Sequence, residues 1–437
     1  VVPSRSRVAA LNGLKRLVWI YFWLIIFEGA LRKWVVPSLA TPLLVVRDPV
    51  LLALYYGAAQ SRVFRFGKDQ FFQILLAIGT FMVAGSIVAG AAFPSYTIPT
   101  LLYGIRCNFL HLPLITLIAR LFTWKDLREM GKWILITAIP MSILMAIQFG
   151  LPNTHWLNSG VEGNFDQIDG GGGRIRPPGT FSFIVGPANF YSLVAAFLIQ
   201  GFMQAGYYPY WLKVAGVGAL GLGLLSSAGS RALILGVAVV FGAWVMGLAA
   251  NPKLLARYAT SIFAMVIVFS GSFFLFQQTE FYGTGLNAIQ ARWGGDIIGR
   301  VVDGAIPQIS TNSRIPFFGY GLGTATNGGR VLLNGPPPPV SYESEVSRVR
   351  VESGPLLGSL YIVFRYGVAL WLGVKSYQKL RSGQFLPLLL FGCTALNLAT
   401  GQLGQPTILG FTVLSGGLCF AACCAPIPEL IGSKPHK

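Results

Sequence analysis

The chain has 437 residues, 54% of them hydrophobic and only 11% charged, with a formal net charge of +18. Soluble domains carry about 25% charged residues, so this composition excludes a water-covered globule and suits a surface facing lipid. The basic residues are scattered between apolar runs and form no Lys/Arg patch, which argues against nucleic acid as a partner.

Apolar runs long enough to cross a bilayer core as helices lie near 17–34, 40–59, 71–93, 97–122, 133–150, 180–204, 209–228, 231–249, 258–277, 355–374, 384–402 and 406–426. The alternating polarity of barrel strands is not visible. The expected fold is therefore an all-α, polytopic transmembrane bundle of about 12 spans. The first run has basic residues ahead of it and no small-residue cleavage pattern behind it, so it is expected to remain as a span. The second carries Arg47, Asp48 and Pro49 and is expected to be partly re-entrant. The five cysteines (Cys107, Cys393, Cys419, Cys423 and Cys424) all lie in apolar segments and read as small buried hydrophobes, with no disulfide or metal-ligand spacing.

Short basic loops set the orientation. Arg5, Arg7, Lys15 and Arg16, then Arg62, Arg65 and Lys68, then Arg120, Lys125, Arg128 and Lys132 fall on one side of a twelve-span count. Lys253 and Arg257, Lys375, Lys379 and Arg381, and finally Lys434 and Lys437 join them there, which assigns that side to the cytoplasm. The chain then divides into a helical part, 1–277, with an outer loop at 151–179; a large extracytoplasmic loop, 278–353; and a helical part, 354–437. The large loop carries Arg292, Arg300, Arg314, Arg330, Arg348 and Arg350 and no lysine. Guanidinium groups chelate phosphate oxygens in pairs and keep their charge, so this set suits an anionic, lipid-borne ligand. The alternative is internal pairing with Glu280, Asp296, Asp303, Glu343, Glu345 and Glu352.

Three stretches stand out on the outer side. Arg174-Ile175-Arg176-Pro177-Pro178-Gly179-Thr180-Phe181 follows a glycine run and precedes a span; its glycines admit close backbone approach and its prolines stiffen the turn into the helix. Ser226-Ser227-Ala228-Gly229-Ser230-Arg231 is a small-residue hairpin that sets Arg231 at the membrane boundary, where an isolated arginine could also snorkel. Phe318-Gly319-Tyr320-Gly321-Leu322-Gly323-Thr324 is followed by 343–355, Glu-Ser-Glu-Val-Ser-Arg-Val-Arg-Val-Glu-Ser-Gly-Pro. The glycines alone do not specify a nucleotide fold, because no strand precedes them.

In this order, and together with Phe27-Glu28-Gly29-Ala30-Leu31-Arg32-Lys33-Trp34 and Arg47-Asp48-Pro49, these stretches resemble the O-antigen ligase and O-antigen polymerase superfamily, in particular a polymerase-like branch. The resemblance covers most of the chain and implies a GT-C-like helical fold. It also implies metal-independent transfer of glycan from an undecaprenyl-diphosphate carrier to an acceptor hydroxyl outside the cytoplasmic membrane, with no cofactor. On that resemblance Arg231 matches the arginine of the family's Ser-Arg hairpin. Arg292, with Arg300 as the alternative, matches an arginine early in the large loop. Both family arginines handle the diphosphate, and Arg174, Arg176 and Arg348 join them as expected diphosphate ligands. Gly354 and Glu352 fill two places of a ligase motif, and Glu343 stands where the ligases have a histidine. That departure favours a polymerase or related transferase over transfer to a lipid core.

The implied chemistry needs cations on the leaving diphosphate and a base for the acceptor hydroxyl. Glu343 is the expected base and Glu345 the next candidate. His155, in the other outer loop, is a rival because histidine titrates near neutrality. His111 reads as a bonded core group, while Arg106 and Glu28, costly inside a span, read as carrier-lipid or packing contacts. Residues 336–339, all proline, stiffen the approach to Glu343. Expected partners are the carrier-linked donor, a glycan or lipid acceptor, the bilayer and other polysaccharide-assembly proteins. The competing function is a flippase for a lipid-linked oligosaccharide, which would favour repeated halves with interrupted spans; no such symmetry is visible in the sequence.

Overall fold

A computed structural model of the chain describes residues 5–64, 66–161, 169–171, 174–204, 206–227, 230–250, 252–277, 283, 284, 287, 315–338 and 344–426. Its long helices are α1 (Arg5–Ala30), α2 (Asp48–Gln60), α3 (Gln70–Ala92), α4 (Ile98–Ile105), α5 (Leu114–Leu121), α6 (Trp124–Gly150), α7 (Val185–Met203), α8 (Tyr210–Ser226), α9 (Arg231–Ala250) and α10 (Pro252–Gln277). After a single turn, α11 (Asn327–Arg330), come α12 (Glu345–Arg381), α13 (Leu386–Thr400) and α14 (Pro406–Cys424). The strands described are two short ones, β1 (Asp169–Gly171) and β2 (Arg174–Ile175), paired as an antiparallel hairpin.

Among the described residues, nine helical segments are long and apolar enough to cross a membrane. Three shorter apolar helical stretches, Tyr210–Ser226, Tyr258–Val268 and Leu386–Thr400, lie within three further expected runs. The chain is therefore a multi-pass helical membrane protein. Large apolar side chains such as Phe81, Ile87, Met246, Phe263 and Leu370 point out of the bundle, where water would penalise them and lipid does not. α7 and α14 are buried nearly all round and form the centre, as helices apolar on every face must.

The loops gather at two ends. At one, Lys15 pairs with Asp126 and Arg120 with Asp69, both at 2.6 Å, and Arg128 Nε donates to the Tyr207 carbonyl at 2.6 Å. At the other, Lys33 Nζ donates to the Gly179 carbonyl at 2.7 Å, Thr97 Oγ1 to the Leu332 carbonyl at 2.7 Å, and Asn334 N to the Ser95 carbonyl at 3.0 Å. Lys15 and Lys33 stand on one helical stretch about 27 Å apart at 1.5 Å per residue, close to the thickness of a bilayer core.

Several boundaries differ from the sequence reading, each for a local reason. The span expected at 133–150 starts at Trp124, because Thr123 and Asp126 form a capping box that extends the helix through Lys125, Arg128 and Lys132. The run expected at 97–122 is broken: α4 passes into a π-turn at Arg106–Leu110, and Pro113 precedes α5. The second run does begin irregularly, with 3-10 turns at Pro37–Leu39 and Pro42–Val45, and becomes α-helical at Asp48. The stretch expected to end the large loop is helical from Glu345, capped by Ser344, and joins the following span through a break at Gly354.

Candidate functional site

Of the motifs singled out in the sequence, 27–34, 47–49, 174–181, 318–324 and the described part of 343–355 gather at the end of the bundle that holds Lys33 and Gly179. Gly29 lets α1 lie directly on residues 180–182: a Cβ there would overlap the backbone of Thr180, Phe181 and Ser182. Thr180 Oγ1 donates to the Ile26 carbonyl at 2.6 Å, and Arg32 reaches Ser182 Oγ at 3.2 Å. Gly29→Ala is accordingly expected to cost ~1–3 kcal/mol, the usual penalty of overpacking, read as a lowered midpoint of thermal unfolding in detergent.

Beneath this contact lies a first group of charges. Glu28 sits between Arg47 Nε at 3.0 Å and Arg32 Nη1 at 3.8 Å. Arg47 is fully buried; it donates to the Pro406 carbonyl at 2.5 Å and packs on Gly410, where a Cβ would displace it. Asp48 accepts from Arg106 Nε at 2.5 Å and contacts His111 Nε2 at 3.0 Å, and His111 Nδ1 meets the Tyr21 hydroxyl at 2.9 Å.

A second group is a closed tetrad. Glu345 takes Arg348 Nε at 2.6 Å, Arg365 Nη1 at 2.6 Å and the Leu403 N–H at 3.3 Å. Glu352 takes Arg348 Nη1 at 2.7 Å and the Ala325 N–H at 3.2 Å. Arg348 Nη2 also donates to Asn108 Oδ1 at 2.9 Å, and Arg365 donates to the carbonyls of Leu398, Asn397 and Gly401. All four charged residues are buried, a state tolerated only when the ions are paired and otherwise hydrogen-bonded.

Two short segments join the groups. The π-turn presents Arg106 to Asp48 and Asn108 to Arg348, the kind of irregular turn found at functional sites. The 401–406 connection receives Arg365, donates to Glu345 and receives Arg47.

The glycine-rich stretch 318–324 is a strap over this junction, buried from Gly321 to Thr324. Gly319, Gly321 and Gly323 have φ of 71°, 100° and 91°, and a Cβ on them would strike the Glu352 carbonyl, the Tyr96 ring and the Thr100 carbonyl respectively. The Gly321 N–H donates to the Glu352 carbonyl, the Leu322 N–H to Ser86 Oγ, and Tyr96 Oη to the Leu322 carbonyl. Burial pushes the Tyr96 phenol well above its ordinary pKa, so it remains a neutral donor.

The expected site residues fall in different places. Glu343, Arg292 and Arg300 lie outside the described residues, as does the side chain of Arg174, whose backbone forms part of β2. Arg176 is half-buried, and its Nε has no hydrogen-bond partner among the described residues. Arg231 opens α9, half-buried, behind the buried Ser226, Ser227 and Ser230. α9 packs on α7 and α13, and those two helices are tied to each other by Asn189 and Asn397, the latter also bonded to Arg365. Arg348 and Glu345 differ from their expected roles: each is saturated inside the tetrad, so Arg348 has no fork to offer a phosphate and Glu345 is held as an ion between two guanidiniums. His155 Nδ1 accepts the Leu157 N–H at 3.2 Å. Arg365 and Asn108 are absent from the sequence reading; an arginine inside an otherwise apolar run was the available signal for Arg365.

Fold and site together define a polytopic helical membrane protein with a buried polar junction at one end, where the described arginines and lysine outnumber the described carboxylates. No family profile, curated protein or solved structure matches the chain.

Proposed function

We propose that the protein is a membrane glycosyltransferase of the O-antigen polymerase or ligase kind. In this reading it has twelve spans and a GT-C-like fold, resides in the cytoplasmic membrane, and does its chemistry on the extracytoplasmic face. The observation that carries the reading is the meeting of four motifs distant in sequence, 27–34, 47–49, 174–182 and 344–354, around an excess of cations. Among the described residues the junction brings together Arg32, Lys33, Arg47, Arg106, Arg348 and Arg365 with Glu28, Asp48, Glu345 and Glu352. Such an excess suits a polyanionic ligand delivered at the membrane boundary.

In the proposed reaction the acceptor sugar hydroxyl attacks the anomeric carbon of a glycan carried on undecaprenyl diphosphate. The bond from that carbon to the phosphate oxygen breaks, its electron pair leaves with the diphosphate, and the configuration inverts. Arg231, Arg292 or Arg300, and Arg174 stabilise the departing charge electrostatically. The carboxylate of Glu343 takes the hydroxyl proton. The tetrad is a positioning element in this scheme: Glu343 immediately precedes in sequence Ser344, the cap of a helix that Glu345, Arg348 and Glu352 hold in place.

The test is transfer by purified protein from a lipid-linked glycan. Glu343→Gln is expected to slow transfer by at least about a hundredfold, and Arg231→Ala to do likewise. Normal polymer from both variants would remove the site assignment. Translocation of the lipid-linked glycan by the wild type without lengthening it would turn the reading into that of a flippase.

A further inference from the structure

At the rim of the junction, Trp156 is 63% exposed, and its ring meets Trp34 edge-on at 6.4 Å. Lys33 Nζ stands 4.4 Å from the centroid of Trp34 and is itself buried. Gln148, at the end of α6, locks this corner: its Nε2 donates to the Leu157 carbonyl and its Oε1 accepts the Gly179 N–H, both at 2.9 Å. Asn158 completes the lock by donating to the carbonyls of Gln148 and Pro152. The rings and the ammonium are thus fixed relative to one another, as a preformed binding surface requires.

Three features of the corner remain unanswered among the described residues. Among the described residues the buried Trp34 Nε1–H has no acceptor, nor has Arg176 Nε, three residues before Gly179. No described carboxylate lies within ion-pair distance of Lys33 or Arg176. A Trp placed only to sit at the membrane interface needs no unpaired cation beside it, and buried donors are normally satisfied. We infer that Trp34, Trp156, Lys33 and Arg176 form a subsite for a sugar unit bearing a negative charge. The apolar face of the pyranose lies on the Trp156 indole, the sugar's oxygens accept from Trp34 Nε1, and its anionic group is held by Lys33 and Arg176. The inference deepens the transfer reading, on which it rests, by naming an acidic glycan as the substrate class. The anion is either a carboxylate on the sugar or a phosphate attached to it.

The test measures binding apart from transfer, by saturation-transfer NMR on the full chain in nanodiscs, with trigalacturonate, maltotriose and glucose 1-phosphate as probes. Trigalacturonate is expected to bind about tenfold more tightly than maltotriose. Trp156→Ala, an exposed change, should weaken both about tenfold, while Arg176→Gln should remove only the preference for charge. If glucose 1-phosphate binds at least as well as trigalacturonate and is lost with the same variants, the subsite stands and its anion is a phosphate. Equal binding of trigalacturonate and maltotriose, or unchanged binding in both variants with unaltered thermal stability, would overturn the subsite and leave the transfer reading to its own assay. Normal probe binding by a wild type that transfers nothing would do the reverse.

Discussion

Arg365→Ala should destabilise the protein by ~3–5 kcal/mol, the cost of breaking a buried ion pair by removing one partner. The truncation leaves Glu345, which has no exposed side-chain surface, with Arg348 alone. It also strands the carbonyls of Leu398, Asn397 and Gly401, which Arg365 satisfies through Nε and Nη2. Arg365→Lys should recover little of the loss, because one ammonium cannot reproduce a planar fork that spans a carboxylate and three carbonyls. The double variant Arg365→Met/Glu345→Gln should be more stable than the single Arg365→Ala variant. It removes a cation together with its anion and leaves Arg348 balanced by Glu352. Denaturation in detergent, followed by helical circular dichroism, checks all three. A single-variant loss below about 1 kcal/mol would place the tetrad among pairs whose burial is nominal.

Gly354→Ala is the second large effect, expected to cost ~3 kcal/mol or more, because the backbone there lies in a region essentially closed to residues with a Cβ. Gly354 has φ 79° and ψ 170° inside an otherwise continuous helix. An added Cβ would overlap the Phe317 carbonyl oxygen, which belongs to the strap leading into 318–324. Pro355 follows at once, so the preceding residue is already barred from helical dihedrals. The break re-aims 345–353 so that Arg348 and Glu352 face Asn108 and Ala325. The variant should therefore lose transfer along with stability. Gly367→Ala in the same helix has open space around it and should be neutral or slightly stabilising, since alanine favours a helix over glycine. Equal behaviour of the two variants would show that the break carries no strain.

The contrast between Arg348 and Arg231 shows how far the sequence reaches. Both were read as diphosphate ligands from residue type and motif order. Arg348 is consumed by Glu345 and Glu352 three and four residues away on one helix turn, a spacing visible in the sequence and weighed there as internal pairing. Its third partner, Asn108, is 240 residues distant, and no local pattern could have named it. Arg365 stands out in the sequence as an arginine inside an apolar run, but its partner Glu345 is 20 residues away and only the fold brings the two together.

What the sequence determined by itself is what short-range physics decides. Lipid-facing helices follow from runs of apolar residues, the gathering of basic loops at one end follows from their spacing, and the break at 354–355 is written in a glycine followed by proline. What only the tertiary structure decided is the balance of charge at the junction. Whether a cation is available to a ligand depends on which carboxylates and carbonyls fall within about 4 Å of it, and here those groups come from α1, α2, the 106–110 turn, α12 and the 401–406 connection at once.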